Sequence, residues 1–230
     1  MNNKMRYQEI IKRLKALKNP KNVEGMARFG IRPKTRVYGI SMPEIRKLAK
    51  DISKNHQLAL ELWESGIHEA RILSGLIAEA EELTEKQMEK WAKDFDSWDI
   101  CDQVCMNLFD KTKLAEKKIF EWEKRKEEFI RRTAFSLMAV LAVHNKELKD
   151  KEFIKFFPLI KRASTDERNF VRKAVNWALR QIGKRNKKLN KEAIRLAKEI
   201  QRINSKSARW IANDAIRELT GENVQKRLKT

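Results

Sequence analysis

Helix starts recur along the whole chain, and nothing in it could organise a sheet. No stretch alternates apolar and polar residues over a strand's length, and 7 Gly and 4 Pro are spread over 230 residues. Ser41-Met-Pro-Glu44 is a capping box with proline near the first turn, opening a helix that runs to about Lys54. Thr84 opens another, Asp96 or Ser97 caps the helix carrying Trp98, and Asn190 and Ser205 cap two more. With the apolar period of a helix, these starts predict thirteen helices, over 5–17, 22–28, 43–54, 56–65, 68–80, 85–94, 97–109, 113–124, 126–145, 150–162, 167–184, 191–203 and 206–219.

Consecutive helices pair into units of about 35–45 residues, the length class of HEAT and armadillo repeats. The expected fold is therefore all-α, a HEAT-like or armadillo-type helical repeat solenoid with a concave basic face, forming a single repeat domain over residues 1–230. Thirteen short helices are too many for a four-helix bundle. The segment 126–145 is apolar almost all round from Thr133 to Val143, which predicts a helix buried on several sides.

Charge narrows the partner. Lys and Arg number 52 against 32 Asp and Glu, a formal net charge of +20. A merely charge-rich surface would be balanced, but residues 161–230 hold 20 basic and 7 acidic side chains. That asymmetry points to a polyanion, and nucleic acid is the commonest one. No apolar run reaches the roughly 18 residues of a membrane span. The chain opens on a polar helix rather than a signal peptide, so a cytoplasmic protein without a membrane partner is expected. Cys101 and Cys105, four apart, read as reduced core thiols, and with His56, His68 and His144 scattered they make no metal ligand set.

Three segments could carry chemistry. Asp94-Phe-Asp-Ser-Trp-Asp-Ile-Cys-Asp102 is a dense carboxylate cluster in a basic chain. On the helix from Ser97 the core stripe is Cys101, Val104, Cys105 and Leu108, and Trp98 and Asp102 share one edge of it as i, i+4 neighbours. A carboxylate at that boundary is partly desolvated and needs a partner or a purpose. The bland alternative has Asp96 capping, Asp99 solvated and Asp102 paired with a Lys or Arg. In the 168–183 segment, Val171, Ala174, Val175, Ala178 and Ile182 form the core stripe, and Trp177 lies roughly 120° from its centre. Its neighbours there are Lys173, Arg180 and Lys184, a setting suited to gripping something anionic that also carries flat or cationic rings. Arg131 and Arg132 open the buried helix, either snorkelling at its end or clamping a phosphate. Lys184-Arg-Asn-Lys-Lys188 reads as a phosphate contact or as a solvated helix end.

Over nearly its whole length the sequence resembles the AlkD-like, HEAT-repeat DNA alkylation repair glycosylases. The resemblance is carried by Tyr38-Gly-Ile-Ser-Met-Pro-Glu-Ile-Arg-Lys47, His68-Glu-Ala-Arg71, Ser97-Trp-Asp-Ile-Cys-Asp102, Phe129-Ile-Arg-Arg132 and Asp166-Glu-Arg-Asn-Phe-Val-Arg-Lys-Ala-Val-Asn-Trp-Ala-Leu-Arg180. It implies that Trp98 and Asp102 line the lesion site, with Asp102 catalytic, that Trp177 and Arg180 match the second site Trp and the Arg after it, and that Arg132 contacts phosphate. Where the family often has two adjacent aromatics before the Asp, this chain has Ser97-Trp98. The resemblance implies a monofunctional glycosylase, acting as a monomer on alkylated double-stranded DNA, with neither metal nor organic cofactor. Lys173 and Lys184 would add DNA contacts. A non-catalytic HEAT-like module binding branched, distorted or damaged nucleic acid is the alternative.

Overall fold

The computed structural model describes residues 6–229, with side chains through Leu228, and the first residue of the predicted 5–17 helix lies outside that range. Among the described residues it is all-helical, with fourteen α-helices. They are α1 (Tyr7–Ala16), α2 (Pro20–Arg28), α3 (Met42–Ile52), α4 (His56–Glu64), α5 (His68–Ile77), α6 (Glu85–Asp94), α7 (Trp98–Asn107), α8 (Ala115–Trp122), α9 (Glu128–His144), α10 (Asp150–Ala163), α11 (Asn169–Gly183), α12 (Lys187–Gln201), α13 (Lys206–Thr220) and α14 (Glu222–Lys229). The chain packs as two compact units, residues 1–114 and 115–230.

The capping signals do what their chemistry demands. Glu44 reaches back to the Ser41 amide at 3.1 Å, Thr84 accepts from Gln87 N at 3.2 Å and Ser205 from Ala208 N at 3.2 Å, so orphan amides at three helix starts are satisfied. Most helix ends fall within three residues of expectation, and three differences stand out. The 97–109 segment is α7 followed by a 3-10 turn, Phe109–Lys111, because Leu108 leaves helical backbone angles (φ −139°, ψ −60°). Helix α12 starts four residues early, capped by Asn186 rather than Asn190. Asn190 instead lies buried inside the helix and donates to the Gly183 and Leu219 carbonyls at 2.9 and 3.3 Å. Helix α14 is additional.

In the first unit α5 is central, packed by α3, α4 and α7. Trp63 of α4 stacks flat on Trp91 of α6, ring centres 4.0 Å apart. In the second unit α11 packs against α9, α13, α12 and α10. The α11 stripe Val171, Ala174, Val175, Ala178 and Ile182 is fully buried, as its spacing requires. Helix α9 is buried from Thr133 through Ala142, all round. No described helix is long and apolar enough to cross a membrane.

Candidate nucleic-acid interface

The carboxylate cluster around α7 separates into individual duties. Asp94 Oδ2 accepts from the Trp63 indole at 2.8 Å. Asp96 Oδ2 accepts from the amides of Lys34 and Thr35 at 2.8 and 3.1 Å and from the Thr35 hydroxyl, so it ties down the loop after α2 and leaves the N-cap position to Ser97. Asp99 is not solvated, as helix geometry alone suggested. It sits 2.8 Å from His68 Nε2 and accepts from the Ser97 hydroxyl at 2.5 Å. Burial works against the charged imidazole of His68, but the hydrogen bond and charge of Asp99 outweigh it and raise its pKa. Asp99 shows the mirror effect: burial would raise its pKa, and the bond and charge of His68 bring it below the ordinary carboxylate value.

At the edge of α7 stand Trp98, half-buried, and one turn on, Asp102 with 8% of its surface accessible. The Trp98 indole N–H donates to the Phe29 carbonyl at 3.0 Å, which fixes the ring's edge against the end of α2. On the same helix Cys101 and Cys105 are buried in the core and form no disulfide. Burial, the bond to Cys101 and the negative charges of Asp102 and Asp110 push the Cys105 thiol well up, so it stays protonated and unreactive.

Two further motifs prove to build the frame of this unit. Glu69, buried in α5, gathers the amides of Tyr38, Gly39 and Ile40 at 2.6 to 3.3 Å. Gly39 is required there: its φ is +73°, and a Cβ would meet the Asn19 carbonyl at 2.3 Å. Arg71 donates to the carbonyls of Trp63 and Asp94 and lies over the Trp63 ring. In the sequence His68, Glu69 and Arg71 belong to a motif that carries the family resemblance, and none has a role that spacing could assign.

In the second unit, α11 and its C-cap residue present Lys173, Trp177, Arg180 and Lys184 along one side. Lys173 is exposed and Trp177 half-buried. Arg180 and Lys184 are partnered by α13. Arg180 pairs with Glu218 and lies 3.4 Å from Asp214, and Lys184 Nζ is 2.6 Å from Glu218. Asn176 extends the network, donating to Asp214 at 2.7 Å. Arg132 of α9 is 5% exposed and donates to the Phe170 carbonyl at 2.6 Å, bracing α9 against α11. Its neighbour Arg131 pairs with Asp166 at 3.1 Å. In the 184–188 turn, Arg185 caps the end of α9 and the loop after it through the carbonyls of Ala142, Lys146 and Leu148. Among the described residues no group of three or more His, Cys, Asp or Glu side chains gathers as a metal site would need.

The model of the DNA alkylation repair enzyme family matches residues 10–219. The chain belongs to that family. Its HEAT-like fold is shared with a solved structure that aligns over 97% of this chain and 96% of its own, with a TM-score of 0.78 at 18% identity. That protein is from a family related to the HEAT-like repeat DNA glycosylases with affinity for branched DNA structures. Two uncharacterized proteins are also similar over 87 residues: Lin0241 of Listeria innocua serovar 6a, 29% identical, and Lmo0209 of Listeria monocytogenes serovar 1/2a, 28% identical. Each match covers 37% of this chain and 39% of the relative's length.

Proposed function

We propose that the protein is a DNA glycosylase that releases cationic N3- and N7-alkylated purines from duplex DNA. One observation carries the reading: in a chain of the DNA alkylation repair enzyme family, α7 sets a nearly buried carboxylate, Asp102, one turn from a half-buried indole, Trp98. An alkylated purine of this kind already bears a positive charge. When its glycosidic bond breaks, the electron pair leaves with the base, which becomes neutral, and positive charge appears on the sugar. Asp102 stabilises that charge, and its poor solvation strengthens the effect because little water competes for its field. Water then adds to the sugar carbon and loses a proton to solvent. Trp98 and Trp177 present aromatic faces that favour a cationic base over a neutral one. Lys173, exposed and unpaired among the described residues, offers a cation to backbone phosphate, and Arg180 and Lys184 join it where DNA draws them from Glu218. In this reading the chain works as a cytoplasmic monomer, without a cofactor.

Incubating the protein with methylated duplex DNA and chromatographing the supernatant tests this directly. Free 7-methylguanine or 3-methyladenine is the expected product. Tight binding with no base release overturns the glycosylase assignment. It would favour the second reading, a non-catalytic module for branched or distorted DNA, which the fold shared with a branched-DNA-binding relative supports.

A further inference from the structure

We infer that Phe29 and the loop it opens form a stacking arm for an unpaired nucleobase, an inference that rests on the nucleic-acid part of the proposed function but not on catalysis. Phe29 is 74% exposed, the most exposed large apolar side chain among the described residues. A phenyl ring so open to water adds little to folding by burial. The segment that carries it is strongly cationic: residues 18–36 hold Lys18, Lys21, Arg28, Arg32, Lys34 and Arg36 against Glu24 alone. All six cations are exposed, and none has an ion-pair partner among the described residues. A protein partner that covered this segment would have to desolvate like charges. A nucleic acid neutralises them with phosphates and offers flat rings to the phenyl at the same time.

The arm is held rather than loose. Helix α2 is anchored at its start, where Asn19 N donates to the Tyr38 carbonyl and Asn22 Nδ2 to the Gly39 carbonyl, at 2.8 and 2.9 Å. It ends in a Schellman-type turn, with Ile31 N donating to the Met26 carbonyl at 3.1 Å and Gly30 in the left-handed region, φ +76°. Residues at the start of α7 secure the turn and the loop beyond it: the Trp98 indole holds the Phe29 carbonyl, and the Asp96 carboxylate holds the Lys34 and Thr35 amides. The backbone of Phe29 is thus tied to the helix that carries Asp102, while its ring is left in solvent, lining a surface groove with Met26 and Ile31. Ordering a preformed platform loses little conformational entropy when a base stacks on it.

The experiment uses the full chain and two duplexes of equal length, one fully paired and one with a single unpaired 2-aminopurine bulge. The wild type is expected to bind the bulged duplex more tightly and to quench 2-aminopurine emission as the base stacks. In Phe29→Ala the bulged-to-paired affinity ratio falls by roughly tenfold and quenching is lost, while Phe29→Trp restores both. Because the side chain is exposed, matching thermal midpoints verify that the variants fold. A wild-type ratio in Phe29→Ala overturns the arm, as does self-association of the wild type that Phe29→Ala abolishes. Failure of the wild type to bind either duplex overturns the arm and the nucleic-acid reading together. Binding without base release leaves the arm standing and removes only the glycosylase.

Discussion

His68 Nε2 and Asp99 Oδ2 lie 2.8 Å apart, joining α5 to the first turn of α7, the turn that Trp98 begins. Each group charges more readily because of the other, and the signs give a pH window. The raised His68 pKa stabilises the fold fully below the ordinary imidazole value and is lost as pH rises through the raised one. The lowered Asp99 pKa contributes above the ordinary carboxylate value and is lost as pH falls through the lowered one. The pair therefore contributes most between roughly pH 4 and 6.5. Asp99→Asn is expected to lose about 1–3 kcal/mol near the acid side of neutrality and less in alkali. Urea midpoints of both proteins at about pH 5.5 and about pH 8.5 check it, because the double difference isolates the pair. An equal loss at both values would mean that His68 does not change charge between them.

Glu69 is a buried carboxylate whose hydrogen bonds all go to the backbone of one short loop. Glu69→Gln turns an acceptor of three amides into a group with its own donors facing them. A loss of about 2–3 kcal/mol is expected. Hydrogen exchange should locate the damage at Tyr38–Ile40 and at the start of α2, which leans on the same loop through Asn19 and Asn22. Uniform loss of protection would instead mark Glu69 as a generic core group.

The helices were legible because caps and apolar period are local properties. The α11 stripe and the α7 stripe of Cys101, Val104, Cys105 and Leu108 are buried as their spacing implies. Tertiary partners were not legible. Asp99 points away from its own helix's stripe, yet His68, 31 residues earlier, meets it there. Asn190 has the chemistry of a cap, but two distant carbonyls occupy its amide. Arg180 and Lys184 looked like free cations because their partner, Glu218, lies more than thirty residues on. Phe29 left a signal that could have been followed: an aromatic at a helix end, before glycine, in a run of cations.

Glu218 holds both cations that flank Trp177 on its C-terminal side. If α11 meets phosphate, Glu218 competes with DNA for them. Glu218→Gln is then expected to tighten duplex binding several-fold at low salt and to steepen the salt dependence by about one to two released counterions. Asp214 remains to steady Arg180 at 3.4 Å, so the helix packing should survive. Fluorescence anisotropy across a salt series gives both quantities. Unchanged affinity and slope would take α11 out of the DNA contact.

Asp102 acts in the proposed chemistry on a charge that exists only as the glycosidic bond breaks. Asp102→Asn keeps the shape and removes the charge, so base release should fall by about 10²-fold or more, with duplex affinity changed by no more than about twofold. Single-turnover release and anisotropy on the same preparation separate the two. Parallel losses would make Asp102 a folding residue, and its 8% exposure makes a thermal melt of the variant the necessary companion measurement.

Trp177 tests whether the aromatic face discriminates or merely touches. It stands outside the buried α11 stripe and half-exposed beside Lys173, so truncation removes ring surface more than core. A cation–π contact with a charged lesion would make Trp177→Ala weaken binding to alkylated duplex by about 2- to 30-fold relative to intact duplex. Trp177→Phe should recover part of the difference, since its ring carries a weaker quadrupole. Equal weakening for both duplexes assigns the indole to generic backbone contact. Recognition of the lesion's charge would then rest on Trp98 and Asp102 of α7, so that a double variant with Trp98→Phe would lose no more discrimination than Trp98→Phe alone.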